Sequence, residues 1–178
     1  QLAENGRELD AAGAMDEEGD VVRISTIHHS KGLQFPVCIV AGLGAPFYTA
    51  DLSGSLLLHA KKGLGLKITD PETRQRYSTL PREAISVLNK NAQISEELRV
   101  LYVAMTRAQD KLVLVCGMEG LDSRLQELGS QLQADWALRD EPIDPALSLA
   151  AKSYADWILS CLLLHPDCEE LRERAGTA

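Results

Sequence analysis

Val21-Val-Arg-Ile-Ser-Thr-Ile-His-His-Ser-Lys-Gly-Leu-Gln-Phe35 is the stretch on which the fold turns. Val21 to Thr26 alternates and is rich in β-branched residues, which predicts a strand. Val37 to Ala41 is a continuous apolar run of the same bias, which predicts a strand buried on both faces. Between them Ser30-Lys31-Gly32-Leu33 predicts a tight turn or a single helical turn, because Gly32 frees the backbone and Pro36 cannot continue a helix. Two strands joined through a short polar crossing predict an α/β domain whose chemistry lies at the strand ends.

That crossing gathers hydrogen-bond donors: the Thr26 hydroxyl, His28, His29, Lys31 and the backbone N–H groups around Gly32. Such groups suit phosphate oxygens, although the same residues also make an ordinary solvated turn. Downstream, Leu56-Leu-Leu-His59 and Leu64-Gly-Leu-Lys-Ile68 flank Lys61-Lys62-Gly63, predicting a hairpin with a basic tip, and Arg74 and Arg76 fall in the loop that follows. Pro81 opens a helical stretch, and Ser95 with Glu96 and Glu97 reads as the N-cap of a second helix. On that helix Leu98, Leu101, Met105 and Ala108 share one face, while Arg99, Val103 and Arg107 fall on another. Lys111 to Cys116 predicts a further buried strand. Two amphipathic stretches, around Leu121 to Trp136 and Leu147 to Leu164, lead to a charged end from Cys168 that reads as frayed.

Charge is unevenly distributed along the 178 residues, whose net formal charge is -8. Residues 1–20 hold one basic and seven acidic residues and read as an acidic linker; residues 119–178 hold five basic and twelve acidic. Residues 21–118 hold twelve basic and seven acidic, so the positive section coincides with the donor-rich crossing. Cys38, Cys116, Cys161 and Cys168 lack the paired spacing of a zinc site, and Cys38 and Cys116 read as buried free thiols, so no metal is expected. No apolar run approaches the ~20 residues of a membrane helix, and no basic leader precedes one, so the expected compartment is cytoplasmic, with no membrane partner. No G-x-x-x-x-G-K-[ST] loop is present.

Two longer motifs carry a resemblance. Thr26-Ile-His-His-Ser-Lys-Gly-Leu-Gln-Phe35 resembles motif V of superfamily 1 DNA helicases of the UvrD, PcrA and RecB kind, written T-x-H-x-x-K-G-L-E-F. Glu97-Leu-Arg-Val-Leu-Tyr-Val-Ala-Met-Thr-Arg-Ala108 resembles their motif VI. Lys152-Ser-Tyr-Ala-Asp-Trp-Ile-Leu-Ser-Cys-Leu-Leu-Leu-His-Pro166 is similar to the segment that follows motif VI in helicase–nuclease subunits of the AddA type.

The resemblance implies a RecA-like (P-loop NTPase-type) α/β domain over residues 21–118. It would have a mostly parallel sheet flanked by helices, a β-hairpin insertion, and a helical extension over 119–178 leading toward a nuclease domain. ATP and Mg2+ would be held mainly by a first RecA-like domain. The substrate would be single-stranded DNA and duplex ends, and the partner an AddB-like subunit. Arg107 would be the arginine finger, Gly32 and Gln34 would lie against the nucleotide, and Thr26, His28, His29 and Lys31 against DNA. Gln34 departs from the family's Glu: an amide still accepts from a ribose hydroxyl but brings no charge. A UvrD-type repair helicase without a nuclease, and a non-catalytic DNA-binding or docking module, remain as alternatives.

Overall fold

The computed structural model describes residues 21–132 and 143–177. The acidic residues 1–20, and Trp136 in the first amphipathic stretch, lie outside them. Strand β1 (Phe35–Val40) pairs in parallel with β5 (Ala108–Leu114), with Val37 opposite Lys111 and Val40 opposite Leu114. A parallel pair requires a crossover. Here it contains a 3-10 turn (Ala50–Ser53), strands β2 (Leu56–His59), β3 (Gly63–Thr69) and β4 (Arg76–Ser78), and helix α1 (Leu80–Met105). The α/β class expected from the sequence is therefore present, with two strands in the parallel sheet among the described residues.

Two strand expectations are corrected. Val21 to Thr26 is not a strand, and Val22 and Ile24 are 94% and 96% exposed. A strand forms only where a neighbour takes up its N–H and C=O groups, and the sole neighbour of β1 among the described residues is β5. Nor is β1 buried on both faces: Val40 and Leu114 pack against Leu43, Ile94, Leu101 and Trp157, while Val37 and Ile39 on the opposite face stay exposed. Cys116, past the end of β5, is exposed rather than buried; Cys38 is half-buried, and all four thiols are free.

The hairpin at Lys61-Lys62-Gly63 forms as expected, β2 against β3 with Leu58 opposite Leu64. Arg76, expected in a loop, instead belongs to a third strand, β4, paired with β3 so that Ile68 faces Tyr77. The turn between them is fixed by Asp70, whose carboxylate accepts from the Glu72 N–H at 2.9 Å and the Thr73 hydroxyl at 2.8 Å. One side of this antiparallel sheet lies on the start of α1. Leu57 is buried there, and a Cβ at Gly65 would come within 2.5 Å of the Arg82 Cα, so only glycine allows so close a seat. Arg82, 4% exposed, fixes the contact by donating to the Leu52 and Gly54 carbonyls and pairing with Glu83.

Helix α1 is one uninterrupted element of 26 residues, where a break at Ser95 was expected. The Ser95 hydroxyl bonds back to the Asn91 carbonyl at 2.8 Å, the arrangement of a mid-helix serine rather than a cap. Pro81 does sit in the first turn. Ile94 and Leu101 bury on one side with Leu43 and Trp157, Ala104 is buried a turn on, and Ile85 is buried on the opposite side near the helix start, whereas Leu98 and Met105 are exposed and Ala108 already belongs to β5. Of the expected apolar face only Leu101 is buried, and Arg107, expected on the helix, lies past its end at Met105.

Beyond β5, α2 (Leu121–Leu132), α4 (Tyr154–Leu164) and α5 (Glu169–Ala175) enclose a second core of Leu125, Leu128, Leu132, Leu159, Leu163 and Ala175. The apolar stretch from Leu147 is divided, α3 (Pro145–Ala150) giving way to α4 where Pro46 bridges to Ser153. The end read as frayed is helix α5, closed by Gly176 in the left-handed conformation (φ +71°).

Candidate functional site

The parallel pairing of β1 with β5 brings the two sequence motifs together at one strand end. The Phe35 N–H donates to the Arg107 carbonyl at 2.9 Å, so the residue leaving the first motif and the arginine of the second share a backbone bond. The Arg107 side chain extends the junction. Its Nη1 donates to the Leu33 carbonyl at 3.0 Å, its Nε to the Val103 carbonyl at 2.9 Å, and its Nη2 to the Thr106 hydroxyl at 3.1 Å. These bonds use three of the five N–H groups of a guanidinium and fix its plane. The other two have no partner among the described residues, and the residue is half-buried.

The crossing upstream is a compact turn. The Ser30 N–H donates to the Thr26 and Ile27 carbonyls and its hydroxyl to Ile27, which buries Ser30, and the Leu33 N–H returns to the Ser30 carbonyl at 3.0 Å. Gly32 has φ +88°, which reverses the chain into β1 and explains why glycine stands there. The Thr26 hydroxyl accepts from the His29 N–H at 3.3 Å, bracing the turn. His28, His29 and Lys31 are exposed, and none bonds to Arg107 among the described residues. Gln34 is adjacent to Arg107 through the shared strand end, and its Oε1 accepts from Gln109 Nε2 at 3.3 Å.

The crossing thus divides in two. Gln34 and the Leu33 carbonyl belong with Arg107, while Thr26, His28, His29 and Lys31 form an exposed donor face of their own. Sequence reasoning misses Gln109; the clue available is its place in β5 two residues after the arginine, where parallel pairing carries it alongside Gln34.

A second missed group lies on α1. Glu97 of the second motif accepts a hydrogen bond from the Tyr154 hydroxyl, and Tyr154 stacks edge-on against Phe47 with centroids 5.1 Å apart. Burial, then the Glu97 carboxylate, pushes the Tyr154 hydroxyl far above its usual pKa. The helical extension is thereby tied to the motif-bearing helix. Nearby, Asp156 accepts from Arg124 Nε at 2.9 Å and Nη2 at 2.7 Å and from the Lys152 N–H at 2.6 Å. Burial alone would raise the Asp156 carboxyl, but the Arg124 bonds and the backbone N–H outweigh it and hold the pKa below the ordinary value.

No phosphate loop accompanies these donors. A nucleotide could be met here from one side by Arg107, with Gln34 adjacent, but not enclosed.

Known proteins share this geometry's sequence. The chain aligns at 42% identity over 178 residues with an ATP-dependent helicase/nuclease subunit from Desulforamulus reducens, and at 42% over 174 residues with one from Bacillus mycoides. These alignments cover 99% and 97% of the chain but 14% of each relative, so the chain spans about one seventh of their length. The family model of the UvrD-like helicase C-terminal domain matches residues 7–118, a span that contains the crossing, α1, Arg107 and β5, and the chain belongs to that family.

Proposed function

We propose that the chain is the second RecA-like domain, with its helical extension, of an AddA-like ATP-dependent DNA helicase/nuclease that processes double-strand breaks in the cytoplasm. The observation that carries the reading is the Arg107 guanidinium, fixed on the Leu33 carbonyl at the junction of the two motifs with two N–H groups unused. Bound between this domain and a first one, ATP with Mg2+ supplies the energy of translocation. Arg107 is the charge clamp on the γ-phosphate, and Gln34 accepts from the nucleotide sugar, with the Gly32 turn bringing both to the strand end. Thr26, His28, His29 and Lys31 face the backbone of single-stranded DNA. Closure of the two domains then changes Arg107 and the DNA-facing turn together, because both are attached to Leu33 and Phe35.

The reading also includes entry from duplex ends and a second, AddB-like subunit, in keeping with the relatives being helicase/nuclease subunits. Its test is Arg107→Ala in the full-length parent. DNA-stimulated ATP turnover falls by about three orders of magnitude or more, the usual worth of an arginine finger, while single-stranded DNA binding stays measurable. Equal loss of both activities, with the fold intact by circular dichroism, would refute the assignment.

A further inference from the structure

The antiparallel sheet has one covered face and one bare one. Register puts Leu56 opposite Leu66, Leu58 opposite Leu64 and Ile68 opposite Tyr77, and the alternation of side chains places all six on the side away from α1. Each is between 45% and 68% exposed. No charged side chain interrupts them. A wholly aliphatic strip with a single tyrosine is unlike the surface of an ordinary soluble domain, where large contiguous apolar patches mark contact sites.

Composition indicates which kind of contact. Reversible protein interfaces favour Tyr, Trp and Arg, and their energetic centres are poor in Leu; permanent interfaces resemble a domain core cut in half. Four leucines and an isoleucine fit the second description. The ends of the sheet carry Lys61 and Lys62 at one turn and Arg74 and Arg76 at the other, and none of these four pairs with a carboxylate among the described residues. The relatives extend far past the matched portion, which is 14% of their length.

We infer that the Leu56, Leu58, Leu64, Leu66, Ile68 and Tyr77 face is permanently covered in the parent by another part of the same polypeptide, an aliphatic surface flanked by carboxylates. This rests on the reading that the chain is part of a longer helicase polypeptide, and it assigns the hairpin insertion a role in assembly rather than in gripping DNA through its lysines.

The test is site-specific maleimide labelling, read by peptide mass spectrometry, of Leu58→Cys and separately Leu56→Cys in the full-length parent purified without its second subunit. The same cysteines in the denaturant-unfolded parent are the exposed reference, and DNA-stimulated ATPase verifies folding. Labelling of the face cysteines at least ~10-fold slower than the reference, a local opening cost of ~1.4 kcal/mol, is expected at every protein concentration. Fast labelling that slows only when the second subunit is added assigns the face to that subunit, and slowing that depends on concentration assigns it to a second copy; either overturns the inference. Fast labelling under all conditions shows a bare face and overturns it too. If both cysteine variants lose ATPase, Tyr77→Cys at the sheet's other edge is read by the same criteria. An Arg107→Ala parent that keeps its ATPase would sink the phosphate-clamp role of Arg107 while leaving these labelling outcomes interpretable.

Discussion

Gly32 and Arg107 illustrate how single residues serve the site in different ways. Gly32 has φ +88° with nothing within 4 Å of a notional Cβ, so a side chain there meets no steric obstacle and the cost of Gly32→Ala is purely conformational. Loss of about 1 kcal/mol in a denaturant titration is expected; a larger loss would mean that the turn rearranges. Arg107 differs in that its neighbours are backbone carbonyls, so a lysine in its place cannot hold Leu33, Val103 and a ligand at once. Arg107→Lys in the parent is therefore expected to approach the alanine variant in ATP turnover, and recovery of more than about a tenth of wild-type rate would contradict the fixed-fork geometry.

Among the elements, α1 shows where reading from sequence stops. A serine followed by two glutamates is a good start signal, but local signals compete with the gain from continuing an existing helix, and Ile94 and Leu101, on either side of Ser95, bury on one side of an unbroken rod. Ser95→Ala accordingly should change stability by no more than ~0.5 kcal/mol, where loss of a true cap would cost about 1 kcal/mol; denaturation midpoints decide. The turn at Ser30 to Leu33, the basic hairpin and the strands β1 and β5 were legible because each depends on contacts near in sequence or on apolar runs. The third strand β4 and the docking of α5 on α2 were not, since three residues of Arg76-Tyr-Ser78 and a charged heptapeptide carry little local signal and gain their structure from partners elsewhere. Arg107 and Gln34 were singled out by the motifs, and the parallel pairing brings them to one strand end. Gln109, Tyr154 and the Arg124 to Asp156 pair depend on spatial neighbours that sequence order conceals.

That last pair ties α2 to α4 and has a pH signature. The Asp156 carboxyl, 2% exposed, has a folded pKa below its unfolded value, so its stabilisation is present above the ordinary carboxylate range of about 4 and is lost as pH falls through the depressed pKa. Asp156→Asn should cost about 2 kcal/mol near neutrality because Arg124 loses its buried anion and keeps only the more exposed Glu127. The variant's stability should then vary less steeply with pH in the acid range; an unchanged acid-denaturation profile would mean that the pair does not set the acid limit of the fold.

On the scale of the whole molecule, the chain spans about one seventh of the length of the relatives it matches. On the proposed reading Arg107 meets the nucleotide from one side only, and the sequence holds no phosphate loop, so the isolated chain is expected to show no DNA-stimulated ATPase in a coupled assay. Robust turnover would overturn the two-domain reading. The face of β1 that carries Val37 and Ile39 is exposed, where a parallel sheet is normally covered on both faces.

Helix α1 spans roughly 39 Å at 1.5 Å per residue. Its first turns are clamped by Arg82 and Gly65 to the apolar-faced sheet, and its last residue precedes the Thr106-Arg107 pair. A rod without a kink transmits a tilt at one end as a displacement at the other. On the proposed reading, a partner seated on the bare sheet face would set the angle of a lever whose far end precedes Arg107.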